Sequence, residues 1–248
     1  MALYDRIGHG YAAVRVEDPR LARQIRDALG DARTVVNVGA GAGSYEPRDR
    51  EVTAVEPSAV MIAQRPAGAA PAVLAPAERL PFPDDAFDAA MAVITIHHWD
   101  DVDAGLREMR RVARRRAVIV TFDPEYEADL WIARDYLTEH VVRAFSSLPP
   151  ISCVLDVFPE ATVRPLPLAN DCSDRMFAAL WGRPEEYLDP RVRAATSVWQ
   201  RLPDDVVRRA IEALREDLAS GDWDERHGHL RTTPELDAGL RLVTAELS

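Results

Sequence analysis

The chain has 248 residues and a net charge of -11, from thirty basic residues against forty-one acidic ones. That balance repels phosphate backbones and anionic lipid, so neither nucleic acid nor a membrane is an expected partner. Every basic residue is arginine, which excludes lysine Schiff-base chemistry, the lysine of a Walker A loop and the β3 lysine of a kinase.

The 47% hydrophobic and 29% charged composition suits a soluble globular protein. No apolar run approaches the roughly 20 residues that a membrane span requires. Two cysteines, Cys153 and Cys172, form no CxxC, and "MALYDRIGHG" lacks the basic-then-apolar layout of a secretion signal. The expected location is the cytoplasm.

In chain order, Asp18 and Pro19 signal the start of a helix, with Leu21, Ile25 and Leu29 on one face and Gly30 ending it. "TVVNV" (34–38) reads as a buried strand running into three alternate glycines, and "EVTAVEPS" (51–58) as a second strand. "AVLA" supplies a short third strand and "FDAAMAVITI" (87–96) a fourth, without the alternation of a half-exposed strand, so both faces of the sheet are expected to be covered. Val102, Leu106, Met109 and Ala113 recur at helical spacing behind Asp100 and Asp101, and "AVIVTFD" (117–123) is a fifth strand. Repeated strand and helix units predict a parallel, doubly wound α/β sheet whose ligands lie beyond the carboxyl ends of its strands.

In the second half, 127–147 reads as helical, 161–169 as extended and 240–247 as a last strand, with a helix at 204–219 carrying Val207, Ile211, Leu214 and Leu218. The expected organisation is an N-terminal helical lid segment at 1–33 and a cofactor-binding core at 34–169. A helical substrate lid follows at 170–239, and the final core strand at 240–248. "DWDERHGH" (222–229) reads as a polar connector and not as a metal site, and "RRVARRR" (110–116) as a charged helix end.

Glycines at 39, 41 and 43, following a strand, let backbone N–H groups approach a ligand that a Cβ would hold away. Glu56 stands seventeen residues past Gly39, at the end of the next strand, where its carboxylate can accept both hydrogen bonds of a ribose diol. The pair indicates an adenosine-type ligand. A nicotinamide dinucleotide fits less well, because GxGxxG spacing is missing.

A third segment narrows the choice. "APAERLPFPDDAFDAAMAVITIHHW" (75–99), with "VNVGAGAG", "AVEPS" and Met61, closely resembles the class I S-adenosylmethionine-dependent methyltransferases, over residues 34–123. The resemblance implies a Rossmann-like seven-stranded sheet with its last strand antiparallel, S-adenosylmethionine as methyl donor and S-adenosylhomocysteine as product. Carried over by position, Gly39, Ala40, Gly41 and Gly43 line the methionine and ribose portion, Glu56 holds the ribose hydroxyls, and Pro57 and Met61 pack on adenine. Ala77 and Glu78 flank the adenine edge, and Thr95 contacts the cofactor. Tyr11 and Arg15 are candidates for its carboxylate, with Tyr4 in the same segment.

Three positions depart from the family pattern: Asn37 replaces an acid before the first glycine, Pro76 replaces the acid that pins the adenine amino group, and Pro47 curtails the helix after the loop. For catalysis, His97 and His98 follow the fourth strand where a general base would stand. Trp99, Asp123, Trp131 and Tyr136 are candidate acceptor-binding residues. The expected function is methyl transfer to a small molecule, oxygen first, in secondary metabolism. Its rivals are a cofactor-dependent cyclisation or rearrangement without methyl transfer, and a non-catalytic cofactor-binding partner.

Overall fold

Val35 and Val36 are neighbours on one strand and both are fully buried. Their side chains must point to opposite faces, so each face needs its own cover. In the computed structural model, which describes residues 4–8, 10–140, 145 and 148–247, each face has one. Val35, Met91, Val118 and Val120 pack with Leu21 and Ile25 of the helix Pro19–Ala28, and with its C-cap Leu29, on one side. Val36, Ala90, Ala92 and Ile119 pack with Leu106, Met109 and Val112 of the helix Val102–Val112, and with Val154 and Phe158, on the other.

The sheet contains β1 (Thr34–Val38), β2 (Glu51–Glu56), β3 (Ala72–Leu74), β4 (Phe87–Val93), β5 (Ala113–Phe122), β6 (Thr162–Pro165) and β9 (Leu240–Glu246). Their spatial order is β3-β2-β1-β4-β5-β9-β6. The first five pair in parallel, while β9 runs antiparallel between β5 and β6. This is the Rossmann-like seven-stranded arrangement expected from the sequence. Its order reverses between β1 and β4, which opens a crevice at their carboxyl ends.

Capping sets the helix starts. Asp18 Oδ1 accepts from the Arg20 amide at 2.9 Å with Pro19 in the first turn, and Asp101 Oδ1 accepts from the Ala104 amide at 3.0 Å.

Several expectations need correction. No helix follows β1: Gly39, Gly41, Gly43 and Tyr45 all take positive φ, so every second residue from 39 to 45 breaks the right-handed path that a helix needs. The 127–147 segment begins in the helix Pro124–Ala128 and continues through Trp131–Tyr136 and a 3₁₀ turn at Thr138–His140, and residues 141–144, 146 and 147 lie outside the described residues. The extended 161–169 segment divides into edge strand β6, where Pro165 costs no ladder bond, and β7 (Leu168–Ala169).

"DWDERHGH" is not a connector, because Asp222–His227 is a helix. Its Trp223 is fully buried and His227 Nε2 meets Asp135 Oδ2 at 2.7 Å. Within "RRVARRR" the helix stops at Val112 and β5 begins, with Arg114 bonded to Asp88, Arg115 to Asp31 and Arg116 to Glu246.

The segment between β7 and β8 (Glu235–Leu236) is mostly helical and includes Asp204–Ser220. Its two ends are tied to each other: β7 and β8 form a separate antiparallel ribbon, Leu168 opposite Leu236 and Ala169 opposite Glu235. Among the described residues no helix is long and apolar enough to cross a membrane, and no cluster of three His, Cys, Asp or Glu could hold a metal.

Candidate active site

A cavity of about 770 Å³ opens at the carboxyl ends of β1, β2 and β4, within the size range of a cofactor site. Gly39 enters it with φ +71, and a Cβ built there would collide with Thr95 Oγ1. Glycine is therefore required twice, for conformation and for the approach of β4. Ile94 makes the matching turn on the other side at φ +53, a strained conformation for a β-branched residue. That turn ends β4 and carries the chain into the short 3₁₀ helix Ile96–His98.

Glu56, at the end of β2, is buried beside the loop. Its Oε2 accepts from the Gly41 amide at 2.8 Å and its Oε1 from the Ser58 amide at 2.9 Å. The two bonds fix the carboxylate plane. Burial pushes its pKa up, opposed by those two amides.

Asn37 stands where the family carries an acid, and its neighbours explain the exchange. Asn37 Nδ2 donates to Glu46 Oε1 at 3.1 Å, and Glu46 forms a buried ion pair with Arg65 at 2.7 Å. An aspartate at 37 would put two carboxylates in contact. Among the acids on the cavity wall is Asp174, a residue from the segment between β7 and Glu235–Leu236 that the sequence did not single out. It is 1% exposed, and it accepts from Arg15 Nε at 2.5 Å, from Arg15 Nη2 at 3.3 Å and from the Tyr45 hydroxyl at 2.9 Å. Tyr45 in turn takes the Asp18 amide on its hydroxyl and gives its own amide to Glu17.

The cavity wall includes Tyr11, Arg15, Gly39, Ala40, Gly41, Glu56, Pro57, Met61, Ala77, Glu78, Thr95, His98 and Trp99. It also contains Tyr4, Tyr45, Pro76, Ile94 and Asp174. Gly43 does not line it and lies against Arg65. Glu78 is occupied at one oxygen by the Asp101 amide, 3.1 Å away.

A narrower branch of about 30 Å³ continues from the cavity, sharing Tyr4, Arg15, Ile94 and His98 with it. His97 faces this branch, with Phe122, Phe177 and Arg201. Tyr4 Oη and His98 Nε2 lie 3.1 Å apart, while Nδ1 of both histidines is buried without a partner among the described residues.

Three acceptor-binding candidates sit elsewhere. Trp131 is buried in the core with its Nε1 donating to the Trp181 carbonyl at 2.7 Å, and it packs against Tyr187 and Trp223. Tyr136 donates to Asp217 at 2.7 Å. Asp123 starts the turn after β5, accepting from the Glu125 amide at 3.3 Å, and faces Arg241. None of the three lines either cavity.

The branch is electropositive. Burial, then the charges of Arg201 and Arg15, lower the His97 pKa from 6.5 to about 3, and His98 is driven well down by burial, His97 and the same two arginines. A depressed folded-state pKa means the unfolded chain takes protons first. The stabilisation is therefore complete above about pH 6.5 and is lost as pH falls towards 3. Each such histidine should cost about 1.4 kcal/mol per pH unit in that window. Urea unfolding of His97→Gln should accordingly fall less steeply with acid than wild type between pH 6 and 4, with parallel curves above pH 7. Parallel curves throughout would place His97 in solvent.

Comparison with known proteins follows this geometry. Residues 36–121 match a family described as a methyltransferase domain. A methyltransferase from an antibiotic biosynthesis pathway of Anabaena variabilis superposes with a TM-score of 0.85 at 29% identity, covering 94% of this chain and 99% of that one. Over residues 36–121 the chain matches that methyltransferase-domain family. The chain is also 31% identical over 160 residues to the demethylmenaquinone methyltransferase of Mycolicibacterium vanbaalenii, covering 62% of this chain and 65% of that protein. The curated relatives are matched over 29% to 65% of their own lengths. A [4+2]-cyclase, SpnF, shares the fold at a TM-score of 0.56 and 16% identity, over 99% of this chain and 94% of that one.

Proposed function

We propose that this protein transfers a methyl group from S-adenosylmethionine to an oxygen of a small molecule, in secondary metabolism. The observation that carries the reading is the pairing of an acid clamped by the glycine loop, Glu56, with the Arg15 and Asp174 pair across the same cavity. A ribose diol needs an oriented carboxylate, and an amino-acid zwitterion needs one charge of each sign. The cavity offers both.

In this reading Glu56 takes the ribose hydroxyls, Asp174 the ammonium, and Arg15 with Tyr11 the carboxylate. Met61 and Pro57 pack against adenine, beside Ala77 and Glu78, while Gly39, Ala40, Gly41 and Thr95 let the cofactor lie close to β1 and β4. When bound, the cofactor supplies an electrophilic methyl on a sulfonium, which is displaced in line. The protein's share is alignment and exclusion of water at the junction of the two cavities, where Ile94 and His98 meet.

Neutral His97 and His98 are weak bases, so the positive field of Arg15 and Arg201 favours an acceptor oxygen that gives up its proton readily. Similarity to the chain from an antibiotic biosynthesis pathway supports the secondary-metabolic setting.

Calorimetry with S-adenosylmethionine, S-adenosylhomocysteine and a nicotinamide dinucleotide, followed by label transfer to a panel of phenols, hydroxy acids and amines, tests this reading. Binding of the first two with label on oxygen is expected. Binding of the dinucleotide alone overturns the assignment, and cofactor binding without transfer to any acceptor favours a rearrangement or a binding partner.

A further inference from the structure

Arg201 carries a charge that the described fold does not answer. It follows the short helix Ser197–Gln200 and is half-buried, and among the described residues its guanidinium meets no carboxylate and no hydrogen-bond acceptor. This contrasts with its surroundings, since Arg15, Arg175, Arg183 and Arg231 each bond an acid. Arg201 lines the 30 Å³ branch together with His97, His98 and Tyr4. No acidic residue lines that branch. A cation thus faces a small space with no acid to answer it, and leaving a partly buried cation unpaired is costly.

We propose that the methyl acceptor is a carboxylate-bearing small molecule whose acid group docks on Arg201 in this branch. The proposal rests on the methyltransferase reading above. A guanidinium presents parallel N–H groups that match the two oxygens of a carboxylate, a fit that a neutral hydroxyl or amide lacks. Size agrees, because a water needs roughly 10–15 Å³ of such space, so the branch admits a group of about two water volumes and no ring. Phe122 and Phe177 supply apolar wall for the carbon next to the acid. The charge of Arg15 is already met by Asp174, which leaves Arg201 as the free cation of the branch.

The test uses the full chain loaded with S-adenosylhomocysteine and titrated with acetate, benzoate and phenylacetate, each against its neutral amide. Heat and the His97 ring resonances are the readouts. At least one carboxylate should saturate, shift His97 and bind tenfold or more tighter than its amide. Arg201→Gln should abolish that preference while S-adenosylhomocysteine affinity stays within about twofold, and Arg201→Lys should retain part of it. The proposal is overturned if no carboxylate saturates, if amides bind equally, or if Arg201→Gln keeps the preference. Failure to bind S-adenosylhomocysteine strikes the methyltransferase reading, while the carboxylate preference is read on the same sample.

Discussion

Gly39→Ala should lower S-adenosylhomocysteine affinity by about 100-fold, roughly 2.7 kcal/mol, and should cost about 2–4 kcal/mol of folding stability. Two penalties add. Gly39 sits at φ +71, where an L side chain is strained, and a Cβ there collides with Thr95 Oγ1 and comes within 2.9 Å of Cγ2 and 3.0 Å of Cβ. Relief of the clash must push β4 from β1 or the loop into the cavity, and both displace the floor on which the cofactor lies. Thr95→Ala in the same chain removes Oγ1 and Cγ2 but leaves the φ penalty, so the double variant should recover about half of the stability loss. Urea melts and calorimetry on the set decide the matter, and wild-type behaviour of Gly39→Ala would refute the close approach.

The second large effect concerns Asp174. Asp174→Asn leaves the buried Arg15 charge without its partner and weakens the acceptor of the Tyr45 hydroxyl, at a cost of about 3 kcal/mol. Asp174 lines the cavity, so cofactor binding should fall by about tenfold or more as well. Joint replacement of Arg15 and Asp174 by leucine removes both charges and should restore much of the stability without restoring affinity. Purely additive single-variant losses would mean that the pair does not act as a unit.

These two sites differ in how far the sequence announces them. Gly39 and Glu56 belong to adjoining strands, and the loop motif and the spacing between them expose the site directly. Asp174 is 159 positions from Arg15 and 129 from Tyr45, and no local pattern marks it. Arg201 is equally silent, because its meaning lies in what is missing around it. Trp131 and Tyr136 illustrate the converse. Aromatic residues after β5 fit a pocket wall or a core equally well by periodicity, and the fold resolves the choice by bonding Trp131 to Trp181 and Tyr136 to Asp217. Pro47 pointed to a short helix after the glycines, and the structure has none there. It could not show that left-handed residues continue to Tyr45, whose ring is turned inward to Asp174.

The β7 and β8 ribbon holds the two ends of the inserted segment side by side. A cassette with adjacent ends can be exchanged between relatives without altering the spacing of the sheet strands beneath it. The unpaired cation at 201 would travel with the segment. One obligation travels too: the cassette must bring a carboxylate to meet Arg15, since the host would otherwise retain a buried guanidinium with no counterion. The partner of Arg15 and the unpaired cation at 201 are thus inherited together.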